Sequence, residues 1–131
     1  MDEKMVGVLS CSGEECLGGT LSRLATLRVV QTLRPNRTVT LCLPLYIAGG
    51  EEERGFASEY PVVAVEGCSK CCATRATEKY SGKVSITIDI AKIISEDVAL
   101  SRIVSMRDLT KEHKDMVKII AREICAMIDA I

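Results

Sequence analysis

Short, nearly continuous apolar runs alternate along this chain with longer stretches in which apolar residues recur every three or four positions. Residues 5–10 (MVGVLS), 38–43 (TVTLCL), 61–65 (PVVAV) and 83–89 (KVSITID) read as four strands. The second is rich in β-branched residues, and the third is apolar throughout, as in a parallel sheet covered on both faces. After a glycine-rich loop at 11–19, residues 20–34 predict a helix. Its apolar positions Leu21, Leu24, Leu27, Val30 and Leu33 recur every three residues, Thr20 suits its N-cap, and Pro35 stops it. Residues 49–60 predict a short exposed helix whose start carries Glu51, Glu52 and Glu53, charges that suit the positive end of the helix dipole. Residues 70–80 predict a helix closed by Gly82. Two more helices follow, 96–105 behind Ser95 and 111–131 behind Thr110.

Strands alternating with helices at this pitch predict an α/β three-layer sandwich. Its four-stranded, mostly parallel sheet would carry helices on both faces, in a Rossmann-like or flavodoxin-like arrangement. With 131 residues and no linker or low-complexity tract, residues 1–131 read as a single domain. A chain of this length buries roughly two-thirds of its unfolded surface and needs no disulfide to hold a core.

Charge and composition then remove whole classes of partner. Lys and Arg total 17 against 18 for Asp and Glu, so no basic field attracts phosphate backbones or anionic lipid. Aromatics make up 3% with no Trp, which removes a base-stacking platform; no nucleic-acid partner is expected. The longest uncharged run, residues 38–50, contains Pro44 and is too short to span a bilayer. The N-terminal Met1-Asp2-Glu3-Lys4 carries both signs and lacks the basic start and apolar stretch of a secretory leader. The expected location is the cytoplasm, where thiols stay reduced.

Against that background the seven cysteines, beside one histidine, carry the chemistry. Cys11 follows the first predicted strand, Cys42 ends the second, Cys68 comes just after the third, and Cys71 and Cys72 open the helix beyond it. Ligands of parallel α/β sheets collect at the carboxyl ends of the strands. Cys11, Cys42, Cys68 and Cys72 can therefore converge, and four thiolates around one ion suit zinc. The same cage suits an iron–sulfur cluster. The N-terminus of the 70–80 helix, with Lys70, is expected to favour thiolate over thiol at Cys68, Cys71 and Cys72. Lys70 and Arg75 are the local cations for an anionic metal cage. Cys16 sits in the glycine-rich loop, which can bring it to the site or leave it exposed. Cys125 falls in the apolar pattern of the last helix and is expected to be a core residue.

These segments resemble the DGC domain family, small zinc-binding proteins named for an Asp-Gly-Cys motif. The resemblance rests on VLSCSG around Cys11, CLPLYIAGG from Cys42, VAVEGCSKCCA around Cys68 and the strand VSITID near Val84. It covers residues 6–94 and leaves 95–131 as a helical extension. It implies a zinc site made from Cys11, Cys42, Cys68 and Cys72, with Cys16 and Cys71 as additions. The family's Asp is Glu66 here. No reaction is implied.

Other constellations fall short or compete. Gly13 to Thr20 has the spacing of a phosphate-binding P-loop, but Gly19 stands where the loop needs Lys. A cysteine phosphatase needs Arg six positions after its nucleophile; Leu17 and Thr74 stand there instead. Cys68-Ser69-Lys70-Cys71 is a C-x-x-C pair after a strand, so thiol, disulfide or persulfide chemistry at Cys68 and Cys71 is the competing reading. His113, between Glu112 and Lys114, reads as a surface residue. The wide apolar stripe of the last helix (Val117, Ile120, Ile124, Met127, Ile128, Ile131) reads as core packing, with a protein-partner face as the alternative.

Overall fold

The structure, a computed structural model, describes residues 5–131. Residues 1–4, read above against a secretory leader, lie outside the described residues. Four strands, β1 (Val6–Ser10), β2 (Thr38–Thr40), β3 (Val62–Glu66) and β4 (Ile86–Asp89), form one sheet in the order β2-β1-β3-β4. Every neighbouring pair is parallel. The order is flavodoxin-like, and the direction of travel reverses between β1 and β3, where the strand ends leave a crevice. All five residues of β1 and of β3 are buried, which explains the apolar runs 6–9 and 62–65; each strand ends on a buried polar residue, Ser10 and Glu66.

Helices cover both faces, as expected. One face carries α1 (Leu17–Arg28) and α7 (Lys111–Asp129). Leu17, Leu21, Ala25 and Val29 pack there with Ile120, Ile124 and Ile128 over Val6, Val8, Val63 and Val65. The other face carries α2 (Leu43–Ala48), α3 (Glu51–Glu59) and α4 (Cys72–Tyr80), with Leu9, Leu41, Tyr46, Val62, Ala64 and Ala73 between them and the sheet. The α7 stripe is thus turned inward at Ile120, Ala121, Ile124, Cys125 and Ile128, whereas Met127 and Ile131, expected within it, are exposed near the chain's end. Thr110 and His113 close the start of α7 as a capping box, each accepting the other's backbone N–H at 3.2 Å. At its far end Arg34 grips Asp129 through two hydrogen bonds of 3.0 and 2.7 Å.

Several boundaries differ from the sequence reading. Helix α1 begins at Leu17, not at Thr20, because Gly18 and Gly19 are helical despite their poor propensity. They are needed there: a Cβ on Gly18 would run into the Gly67 carbonyl at the end of β3, and one on Gly19 into the Gly13 carbonyl. The helix runs on as a single π-turn, Val29–Leu33, before Pro35. The predicted second strand stops at Thr40, and α2 starts behind Cys42 with Pro44 in its first turn. The predicted helix 96–105 stops early as α6 (Glu96–Ala99), and an unpredicted turn, α5 (Ala91–Ile94), precedes it across Ser95 in a left-handed conformation (φ 92°). Its continuation is lost because the Ser101 carbonyl accepts the Leu17 N–H at 2.9 Å, tying this segment to the start of α1. No helix among the described residues is long and apolar enough to cross a membrane.

Candidate metal centre

The carboxyl ends of β1 and β3 meet through Cys11. Its backbone N–H donates to the Val65 carbonyl at 3.0 Å, and its Sγ accepts the Gly67 N–H at 3.1 Å. The Ser22 hydroxyl lies 3.6 Å from the same sulfur and donates to the Gly19 carbonyl. Cys11 is therefore held by backbone from β3 and by a side chain of α1, at the crevice where the strand order reverses.

A cleft of about 700 Å³ opens at this point. Cys11, Cys16, Cys68 and Cys72 line it together with Glu15, Gly67 and Lys70. Three elements supply these thiols: the loop after β1, the N-cap of α1, and the turn from β3 into α4. Lys70 at the mouth lies 3.9 Å from Glu15, both side chains being solvent-exposed. Cys42 borders an adjoining cleft of about 460 Å³, which shares Cys11, Ser12 and Glu14 with the first. The structure thus groups three of the four expected ligands with Cys16 and places Cys42 beside the neighbouring cleft. Cys71 lines neither. Among the described residues no three His, Cys, Asp or Glu side chains already converge closely enough to hold an ion.

Glu66 explains how the turn into α4 is held. It is fully buried, and its carboxylate accepts the backbone N–H groups of Ala73 (3.1 Å) and Thr74 (2.7 Å) and the Thr74 hydroxyl (2.7 Å). Those amides are the second and third of the helix, the ones an N-cap side chain usually satisfies. The N-cap residue itself, Cys71, is left-handed (φ 55°) and makes no side-chain cap. A carboxylate from the neighbouring strand end performs that role and thereby fixes the orientation of Cys72.

The expectation that the helix dipole lowers the nearby thiols is not met at Cys71 and Cys72, where loss of water is the largest influence. The Cys72 thiol is pushed up, first by loss of water, then by Cys11, Glu66 and Cys68; only Lys70 opposes this. Cys71 is pushed up by burial, Glu66, Asp89 and Cys68, against Arg75. Both thiols lose water and face negative groups, among them Glu66, whose carboxylate occupies the helix N-terminus. Burial likewise raises Cys125, which is 6% exposed among the α1 and α7 side chains, in keeping with its expected core role. All seven cysteines are free thiols.

Sequence reasoning missed Glu66 as a capping group, and also Leu100, which lines the central cleft from the α6 side. A Glu at a strand end carries no signal of what it will reach, and Leu100 lies in a stretch predicted as plain helix.

Fold and site define a class: a parallel α/β domain whose sheet reversal point is rimmed by free thiols. The chain belongs to the DGC domain family, which it matches over residues 7–116. The match passes the expected limit at 94 and takes in α5, α6 and the start of α7, consistent with Ser101 and Leu100 being tied to the site. No curated protein and no solved structure matches the chain.

Proposed function

We propose that this protein binds a zinc ion in the central cleft and holds it as exchangeable cargo for storage or delivery, in a reducing compartment such as the cytoplasm. Cys11, Cys68 and Cys72 are the expected ligands that also line this cleft. The fourth is Cys16, in place of the Cys42 expected from sequence, because Cys16 borders the same cleft as the other three. That common cleft is the observation that carries the reading. The donor set fits the ion: thiolates suit zinc, and Lys70 at the mouth offsets part of the charge of a four-thiolate cage. The thiols are not converged in advance, so binding requires the loop carrying Cys11 to Cys16 to adjust.

Cargo is favoured over a structural ion because both faces of the sheet are closed by apolar packing without one. Domains that depend on structural zinc lack such a core. The competing thiol or persulfide reading at Cys68 and Cys71 has less support, since Cys71 lies outside the cleft and its thiol is raised, not lowered.

Metal content of anaerobically purified protein, with an absorbance spectrum, tests the reading. About one zinc per chain without visible absorption is expected. Cys68→Ser and Cys16→Ser should lose the metal while Cys42→Ser keeps it, with little change in the stability of the metal-free protein. Loss in Cys42→Ser alone would return the fourth position to Cys42. A brown chromophore would keep the ligands and replace zinc by iron and sulfide. Absence of any metal would overturn the reading in favour of thiol chemistry.

A further inference from the structure

The cleft of about 460 Å³ beside the metal centre has features a thiolate cage does not use. Thr26, on α1, is 2% exposed and lines this cleft, and its hydroxyl has no hydrogen-bond partner among the described residues. A buried hydroxyl left unpaired is unfavourable unless something in the cleft completes it. Arg23, three residues earlier on the same helix and therefore on the same face, also lines the cleft. Among the described residues it has no ion-pair or hydrogen-bond partner. Glu14 also lines it, the one carboxylate among the residues that do, and Leu27 and Leu43 supply apolar wall.

We propose that this cleft binds a small α-amino acid as its zwitterion. The guanidinium of Arg23 and the hydroxyl of Thr26 take the carboxylate, since Arg presents a planar fork matched to that group. Glu14 takes the ammonium. A short apolar or thiol side chain lies against Leu27 and Leu43, within reach of the Cys42 edge. One cation and one anion lining a cleft with an apolar wall complement a zwitterion, whereas a plain anion would meet Glu14 and a plain cation would meet Arg23. The proposal goes beyond the metal reading and does not depend on it.

The test is titration of the isotopically labelled reduced protein with L-valine and L-cysteine, followed by amide resonances, with a zinc indicator present. Saturable shifts confined to β1, β2 and α1 residues around the cleft are expected for both amino acids. Isobutyrate, which lacks the ammonium, and isopropylamine, which lacks the carboxylate, should bind at least about tenfold more weakly. Arg23→Gln should weaken L-valine binding by about tenfold or more. Thr26→Val, which keeps the volume and removes the hydroxyl, should weaken it several-fold and serves if the Arg23 variant fails to fold. No saturable shift with either amino acid overturns the proposal, as does isobutyrate binding as well as L-valine. A response to L-cysteine alone, accompanied by zinc release, also overturns it: that result is extraction of metal and would uphold the metal centre while removing the amino-acid site.

Discussion

Cys125 and Cys11 belong to two regions of one domain that treat the same side chain in opposite ways. Cys125 lies in the α1/α7 layer among Ile120, Ile124 and Ile128, where its sulfur is one more apolar atom in a dry core. Cys11 lies at the carboxyl rim of the sheet, where its sulfur accepts a backbone N–H from Gly67 and borders two clefts. The layer is built from side-chain packing. The rim is built from backbone meeting backbone at Gly18, Gly19 and Gly67, a borrowed helix cap at Glu66 and left-handed residues at Ser12 and Cys71. Stability thus resides mostly in the layer, and the rim is free to present polar and nucleophilic groups.

The sharpest way to break that division is a cavity in the layer. Ile124→Ala should cost about 2–5 kcal/mol, measured by urea unfolding of the metal-free reduced protein, and should leave zinc stoichiometry of the folded fraction unchanged. Loss of metal binding at full foldedness would show that the layer also shapes the rim. Glu66→Gln should cost less, about 1–3 kcal/mol, because it removes the charge, keeps one acceptor oxygen and turns the other into a donor facing Ala73 or Thr74. It should also weaken metal binding, since the start of α4 carries Cys72. Unchanged affinity in this variant would show that Glu66 supports only the fold.

The smallest expected effect is alkaline destabilisation. The folded chain raises the thiols of Cys71, Cys72 and Cys125, so it holds their protons more tightly than the unfolded chain does. This contribution is complete below the ordinary cysteine range and is lost as pH rises through it towards the folded-state values. Cys125→Ala should remove the layer's share of the slope and leave the rim's share, as read from unfolding midpoints of reduced protein across that range. A slope unchanged by Cys125→Ala would place the whole effect at the rim.

Much of this architecture was legible in the residues. Continuous apolar runs announced buried parallel strands, and period-three apolar spacing announced α1. Thr110 and the stripe behind it announced α7. The resemblance carried by the Cys11, Cys42 and Cys68 segments led to the right family. The errors cluster at the rim. Residues 38–43 read as one strand because an apolar run does not reveal where hydrogen bonding ends, although Pro44 hinted at a helix start. Gly18 and Gly19 read as loop because local propensity knows nothing of Gly67 approaching from β3.

By itself the sequence determined which segments are apolar on one side, two sides or none, and hence the α/β class, the strand count and the chain positions of the thiols. These follow from local period and composition, which the chain carries wherever it folds. Only the tertiary structure decided that Cys16 joins Cys11, Cys68 and Cys72 in one cleft, that Cys42 faces the next, and that Glu66 caps α4. It also brought Arg23, Thr26 and Glu14 around a common space. Such groupings depend on strand order and on close backbone contacts between segments about fifty residues apart, and no local pattern encodes which distant partner a side chain will meet.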